Sequence, residues 1–230
     1  MDIYSTPKSI LKTLIVIISF LLLANLIGIF FKFYLDHGHI YGLYPLFNFD
    51  AEQNIPTLYS SVTLLLSSGL LLLITFQHKQ QTESYFLWLV LAIIFMFLSL
   101  DEFATLHENL IRPVRESLNT SGVLYFAWVI PYSALLVLFL AFYFRFLQNL
   151  PKKSMVLFLL SGTIYISGAI GFELIGGLRA ESHGLNNLVY SLITTTEELL
   201  EMLGIALFIY SLLVYITEQF NHFTVNITRD

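Results

Sequence analysis

The sequence predicts an all-α integral membrane protein with six transmembrane helices in a single bundle. Of its 230 residues, 57% are hydrophobic and only 12% are charged, whereas soluble domains carry about 25% charged residues. The apolar residues also gather in six long stretches, each near the roughly 20 residues that a helix needs to cross a bilayer. Because these stretches and their connections use nearly the whole chain, we expect one domain covering residues 1–230.

The boundaries of the helices follow from the ends of the apolar stretches. The first stretch begins like a signal peptide, but its apolar core is long and lacks a small-x-small cleavage pattern, so we expect a retained helix. Pro113 predicts where an extension of the third helix stops, and Pro131 predicts a kink within the fourth. The expected spans cover residues 10–33, 56–76, 85–107, 123–147, 154–175 and 187–217.

The distribution of lysine and arginine predicts the orientation. One set of helix ends carries more positive charge than the other, and the positive-inside rule places the richer set in the cytoplasm. We therefore expect a multi-pass protein of a bacterial inner membrane with both termini inside. The richer set is Lys8, Lys12, Lys79, Arg145, Lys152, Lys153 and Arg229, and the poorer set is Lys32, Arg112, Arg115 and Arg179.

Acidic residues inside or at the ends of the apolar stretches are the main indication of function. A charged side chain at the bilayer centre costs about 2.5–3.5 kcal/mol on insertion scales, so such residues usually face a protein interior and serve a function. In the predicted orientation they all lie in the outer half of the membrane. They are Asp101, Glu102, Glu108, Glu173, Glu197, Glu198 and Glu201.

The sixth helix arranges its carboxylates on one side. At about 100° per residue, Glu197, Glu198 and Glu201 share one face. From Gly204 onward the same face is small or apolar, so we expect the polar stripe to stop near the middle of the membrane.

The third and fifth helices add to this site. Asp101 and Glu108 share a stripe of the third helix if the helix continues that far, whereas Glu102 and His107 project to opposite flanks. In the fifth helix, Gly168 and Gly171 suit tight helix contact near Glu173. The acidic loop residues Asp50 and Glu52 are placed to cap the pocket, but we assign them no role.

Close carboxylates in a low dielectric cannot all ionise unless a cation joins them or protons are shared. Oxygen ligands with one imidazole suit Ca²⁺, Mg²⁺, Mn²⁺ or iron, and zinc if His107 contributes. We therefore predict a divalent metal cation of unspecified identity, with Asp101, Glu198 and Glu201 holding it and Glu197 or Glu102 handling protons. The candidate metal ligands are Asp101, His107, Glu108, Glu173, Glu198 and Glu201, and the candidate catalytic residues are Glu197 and Glu102.

Plainer interpretations stay open beside these. The carboxyls of the sixth helix can be protonated groups hydrogen-bonded between helices, and His107 can be an ordinary interfacial histidine. Glu108 with Arg112, Arg115 and Glu116 can form a solvated helix surface with i,i+4 ion pairs.

Several function classes follow from one acidic site. The protein is a metal-dependent membrane enzyme acting on a lipid-like or small-molecule substrate, or a cation- or proton-coupled transporter, or a non-catalytic accessory subunit. The absence of cysteine excludes thiol chemistry, and no Lys/Arg-rich run indicates nucleic acid. Membrane lipids are the expected partners. Since no ionisable residue continues the acidic face toward the cytoplasm, the enzyme is slightly favoured, but the sequence decides neither that activity nor the oligomeric state.

Overall fold

The computed structural model describes residues 6–35 and 42–220, and within these ranges the chain forms helices and loops with no strand. Six helices are long and apolar enough to cross a membrane, which confirms the all-α class and indicates a multi-pass membrane protein. The helices are α1 Pro7–Tyr34, α2 Leu43–Phe47, α3 Ile55–Gln80, α4 Phe86–Ala104, α5 Ile111–Leu118, α6 Val129–Asn149, α7 Lys152–Ile166, α8 Glu173–His183 and α9 Leu188–Gln219.

Side-chain caps fix the starts of three membrane helices. Thr6 accepts a hydrogen bond from the Ser9 amide at the start of α1, and Asn54 and Asn187 do the same at the starts of α3 and α9, at 3.0 to 3.1 Å. Each such cap is worth about 1 kcal/mol because it satisfies a backbone N–H that has no partner within the helix. The observed starts lie within three residues of those predicted for these helices.

The third membrane helix is shorter than predicted. We expected it to span residues 85–107 and to continue until Pro113, but α4 ends at Ala104 and Thr105 adopts a left-handed backbone with φ +52°. Pro113 instead lies in the first turn of α5, where a proline sacrifices no helical hydrogen bond. The predicted stripe of Asp101 and Glu108 along one helix is therefore wrong.

Two further boundaries differ from the prediction. The fourth membrane helix begins at Val129 rather than near residue 123. Pro131 therefore lies in its first turn, where proline is tolerated, and the reason for predicting a kink disappears. The fifth span runs from Lys152 to His183, because α7 and α8 are joined by a π-helical segment over Ser167–Phe172.

Helix α9 lies at the centre of the bundle and α6 at its edge. In an apolar 18-residue stretch of each, 56% of α9 is buried but only 11% of α6. Met202, Ile205 and Ile209 of α9 form one core cluster with residues of α1 and α3. A second cluster joins α9 to the start of α4 and the end of α6.

Two tyrosines fasten α6 to the bundle. The Tyr132 hydroxyl donates to Asp101 Oδ2 at 2.7 Å, and the Tyr143 hydroxyl donates to the Leu87 carbonyl at 2.8 Å. Tyr132 lies near the start of the helix and Tyr143 near its end. Between these two attachments α6 borders a large cavity.

The membrane orientation and the single-domain organisation stay predictions. Arg229, one of the charges used for the orientation, lies outside the described residues. The acidic end of the bundle is the end at which α4 finishes and α9 begins.

Candidate functional site

A cavity of about 1000 Å³ lies between α4, α6, α7 and α9. Every residue predicted for the site lines it, although the loop that follows α4 was placed wrongly. These residues are Asp101, Glu102, His107, Glu108, Glu173, Glu197, Glu198 and Glu201. The structure thus brings all the predicted residues to one cavity, and their roles in binding or catalysis stay predictions.

The turn after α4 returns His107 to Asp101. The left-handed Thr105 ends the helix, and the chain then folds back so that the His107 amide donates to Asp101 Oδ1 at 2.8 Å. The His107 ring Nδ1 lies 3.2 Å from the same oxygen. Since Tyr132 donates to the other oxygen, both oxygens of the buried Asp101 carboxylate are engaged.

Glu52, His107 and Glu108 form the tightest group of potential metal ligands among the described residues. Each offers one ligand atom, and these atoms lie within 4.8 Å of one another. Glu52 comes from the loop before α3, where its Oε2 accepts a hydrogen bond from the Thr57 hydroxyl at 3.3 Å. Sequence analysis assigned Glu52 no role, and this is the main residue that it missed.

Charge and burial shift the pKa values of residues in the two loops beside the cavity. Burial, and then the negative charge of Glu108, raise the pKa of Glu52. Burial lowers the pKa of His107, but the hydrogen bond and charge of Asp101 outweigh it, so that the net change is upward. Desolvation raises the pKa of Asp50 to about 6, although the residue as a whole is exposed.

A buried asparagine holds the Glu52 loop against the bundle. Asn25 of α1 is fully buried. Its Oδ1 accepts the Phe49 amide at 3.1 Å, and its Nδ2 donates to Thr195 Oγ1 of α9 at 2.8 Å. This side chain therefore connects α1, the loop and α9, and it sets where Glu52 lies relative to the carboxylates of α9.

The predicted acidic face of α9 points into the cavity. Glu198 interacts electrostatically with Glu102 of α4 and with its neighbour Glu201, and Tyr165 of α7 lies beside Glu201. These residues form a deeper group than the one at Glu52.

The π-helical segment brings a second helix against α9. A Cβ added to Gly168 would lie 2.6 Å from the Glu197 carbonyl oxygen, so only glycine permits this approach. The predicted tight contact at Gly168 is confirmed, whereas a Cβ at Gly171 would meet nothing within 4 Å. π-Helical turns often occur at functional sites, and this one places Glu173 next to the acidic face of α9.

Glu173 is held by two partners. Its Oε1 accepts a hydrogen bond from the Trp128 indole at 2.6 Å. Its carboxyl group also lies next to that of Glu197. Two carboxyl groups this close in a low dielectric can share a proton.

The rest of the cavity is apolar and extends away from the carboxylates between α4, α6 and α7. We call this part the apolar chamber. No carboxylate or histidine lies among its described lining residues. They include Phe95, Leu136, Phe139, Phe146, Phe158 and Gly162.

The plainer interpretation holds for part of the α5 surface. Arg112 and Glu116 form an exposed i,i+4 ion pair at 2.8 Å, which is the solvated helix surface expected of them. Arg115 donates from Nε to the Tyr125 carbonyl at 2.8 Å and lies over the Tyr125 ring. Glu108 differs from these residues because it borders the cavity.

The chain belongs to the family described as a domain of unknown function (DUF8692), whose model matches residues 11–216. No curated protein and no solved structure matched the chain. A functional assignment therefore depends on the chemistry of the cavity.

Proposed function

We propose that the protein binds a divalent cation at the acidic end of the cavity and acts as a metal-dependent membrane enzyme on a lipid-like molecule. The observation that supports this most strongly is the division of one cavity into a carboxylate-rich end and an apolar chamber. A lipid has the same division, with a polar head and a hydrocarbon tail.

The group of Glu52, His107 and Glu108 fits a cation by its chemistry and its spacing. Two carboxylates and an imidazole suit borderline divalent metals, and oxygen ligands suit calcium. The three ligand atoms lie within 4.8 Å of one another, so small movements of the side chains would bring all three onto one cation.

Asp101 has a supporting role in this proposal. Its hydrogen bonds to the amide and ring of His107 leave the other ring nitrogen to face a metal, as in carboxylate–histidine–metal arrangements. This differs from our sequence-based hypothesis, in which Asp101, Glu198 and Glu201 hold the cation directly.

The concentration of negative charge favours cation binding. Two unit charges 4 Å apart repel by about 4 kcal/mol at an effective dielectric constant of 20. Glu52 interacts with the charges of both Glu108 and Asp101. The charges of Glu102 and Glu52 also repel each other. A divalent cation at this end relieves that repulsion without requiring each carboxyl to bind a proton.

The surrounding residues suit hydrolysis or group transfer at a lipid head. A bound cation of this type supplies polarisation of a substrate bond or activation of water. Glu102 borders the cation group and is placed to accept a proton. The Glu173–Glu197 pair, whose adjacent carboxyl groups can share a proton, is placed to return one.

The lining of the cavity favours an enzyme over a transporter. All the carboxylates among its described lining residues lie toward one end. Beyond Glu201 along α9, the cavity wall continues with Gly204, Ile205 and Phe208. These residues offer no ligand for an ion crossing the membrane.

Cation binding is tested by titrating Mn²⁺ into the purified full chain and measuring free Mn²⁺ by electron paramagnetic resonance. We expect one saturable site that Glu52→Gln weakens at least tenfold, while Glu116→Gln, which removes an exposed carboxylate of α5, changes nothing. Circular dichroism and gel filtration establish that both variants are folded. Absence of saturable binding in the wild type, or equal affinities of the two variants, would overturn the assignment.

Enzymatic activity is tested by comparing lipid extracts of cells that express the wild type, Glu102→Gln or Glu116→Gln. We expect mass spectrometry to find a lipid that is converted in the wild type and in Glu116→Gln but not in Glu102→Gln. Identical lipid profiles in all three strains, with normal Mn²⁺ binding, would contradict an enzyme and leave a metal-binding membrane protein.

A further inference from the structure

The apolar chamber suggests which part of the substrate it holds. We propose that one acyl chain of a lipid enters sideways from the bilayer beside α6 and lies in the chamber, and that Gly162 determines how far the chain reaches. This inference relies on the proposed function for the polar end of the ligand, but its test uses chain binding alone.

The sparse packing of α6 against the bundle suits lateral entry of a chain. The helix is held to the bundle by Tyr132 near one end and Tyr143 near the other. At 1.5 Å per residue these attachments lie about 16 Å apart, close to the roughly 15 Å depth of one leaflet of the hydrocarbon core. The stretch between them therefore matches the depth that one acyl chain occupies in a leaflet.

The lining of the chamber identifies hydrocarbon as its occupant. Apolar cavities do not hold water, because water needs polar partners that Phe95, Phe139 and Phe158 cannot provide. A cavity beside the sparsely buried α6 meets acyl chains in the bilayer. A lipid also supplies a polar group for the carboxylates at the other end.

Gly162 is the position at which the wall of the chamber has spare room. It lines the cavity, and a Cβ added there would meet nothing within 4 Å. It lies one helical turn from Phe158, which belongs to the apolar end. A larger side chain at residue 162 can therefore project into the chamber and block its far end without displacing neighbouring residues.

Gly69 provides a matched control. A Cβ added to it would also meet nothing within 4 Å, and it is half-buried like Gly162. It belongs to α3 and is not among the residues that line the cavity. Gly69→Leu therefore also replaces a helical glycine by leucine, but it does not fill the chamber.

The two tryptophans of the chain report on the two ends of the cavity. Trp128 lies at the acidic end, where it donates to Glu173. Trp88 is 3% exposed and packs against Phe146 and Phe158, with ring centroids at 4.9 and 6.2 Å. Both phenylalanines line the chamber, so a quencher at the end of a bound chain comes close to Trp88.

The experiment measures quenching of Trp88 in Trp128→Phe protein by lysophosphatidylcholine with an 18-carbon chain. The chain carries bromine either near its methyl end or near its ester. We expect saturable quenching by the methyl-end bromine and little by the other. In the same background, Gly162→Leu should weaken the apparent affinity at least tenfold, whereas Gly69→Leu should leave it unchanged. Gel filtration establishes that each variant is folded.

Non-saturable quenching, or quenching that is equal in the two leucine variants, would overturn the inference, because lipid around the outside of the protein gives that result. If quenching fails while Mn²⁺ still binds, the acyl-chain inference is wrong and the cation site stands. If quenching behaves as expected while Mn²⁺ does not bind, the proposed metal-dependent function is wrong instead.

Discussion

Gly168→Ala tests whether the π-helical segment and α9 meet as closely as the structure shows. The new Cβ would lie 2.6 Å from the Glu197 carbonyl oxygen and 3.2 Å from the Glu201 amide nitrogen. Favourable contacts begin near 3.5 Å, so the two segments must separate by about 0.9 Å. Because the obstructing atoms belong to the backbone of α9, no side-chain rotation can relieve the overlap.

The magnitude follows from the cost of overpacking. Adding a methyl group to a closely packed contact costs about 1–3 kcal/mol. For a chain of 150–250 residues, each kcal/mol lowers Tm by about 2–4 °C, so we expect a fall of about 2 to 12 °C. The assay is thermal unfolding of the purified protein in detergent, followed by intrinsic fluorescence.

Gly171→Ala is the control within the same π-helical segment. Its Cβ would meet nothing within 4 Å, and alanine restricts the unfolded chain, which stabilises compatible sites by about 0.4–1 kcal/mol. We expect Tm to stay the same or rise by a few degrees. Equal falls for Gly168→Ala and Gly171→Ala would refute the close approach and the positioning of Glu173 that depends on it.

Three other predictions concern the acidic end. Asp101→Asn should weaken Mn²⁺ binding about 10- to 100-fold, because it removes the charge that orients His107. Asn25→Ala should cost about 1–3 kcal/mol in thermal unfolding, because it leaves the buried Phe49 amide without its acceptor. Mn²⁺ affinity should fall between pH 7.5 and pH 6, because the raised pKa values of His107 and Glu52 let protons compete with the metal closer to neutrality.

Each of these has a control or a contrary outcome. Tyr132→Phe should weaken Mn²⁺ binding slightly by loosening Asp101, whereas Tyr143→Phe, at the far end of α6, should not. Asn109→Ala removes an exposed hydrogen bond and should leave Tm within about 2 °C, since surface changes stay within about 0.5 kcal/mol. An Mn²⁺ affinity that is constant from pH 7.5 to pH 6 would contradict a site built on His107 and Glu52.

The sequence predicts the membrane helices and the α9 face well because both depend on local periodicity. Long apolar stretches determine where α1, α3 and α9 lie, and the regular turn of a continuous helix places Glu197, Glu198 and Glu201 on one side. No tertiary contact is needed for either inference.

The prediction fails where the chain leaves regular geometry. Thr105 ends α4 in a left-handed conformation that glycine usually provides, so the residue type gives no warning. The loop that carries Glu52 is held at the cavity by Asn25. The hydrogen bonds of Asn25 join it to residues 24 and 170 positions away in the chain. The acidic and amide residues of that loop were visible in the sequence, but their partners were not.

The most direct measurement is an anomalous-scattering map from crystals of the wild-type protein grown with Mn²⁺. The proposal predicts a single strong peak at the acidic end, within coordination distance of Glu52, Glu108 and a ring nitrogen of His107. A peak between Glu198 and Glu201 would restore the ligand set of the sequence-based hypothesis and contradict this one. A map without any peak in the cavity would contradict the cation site altogether.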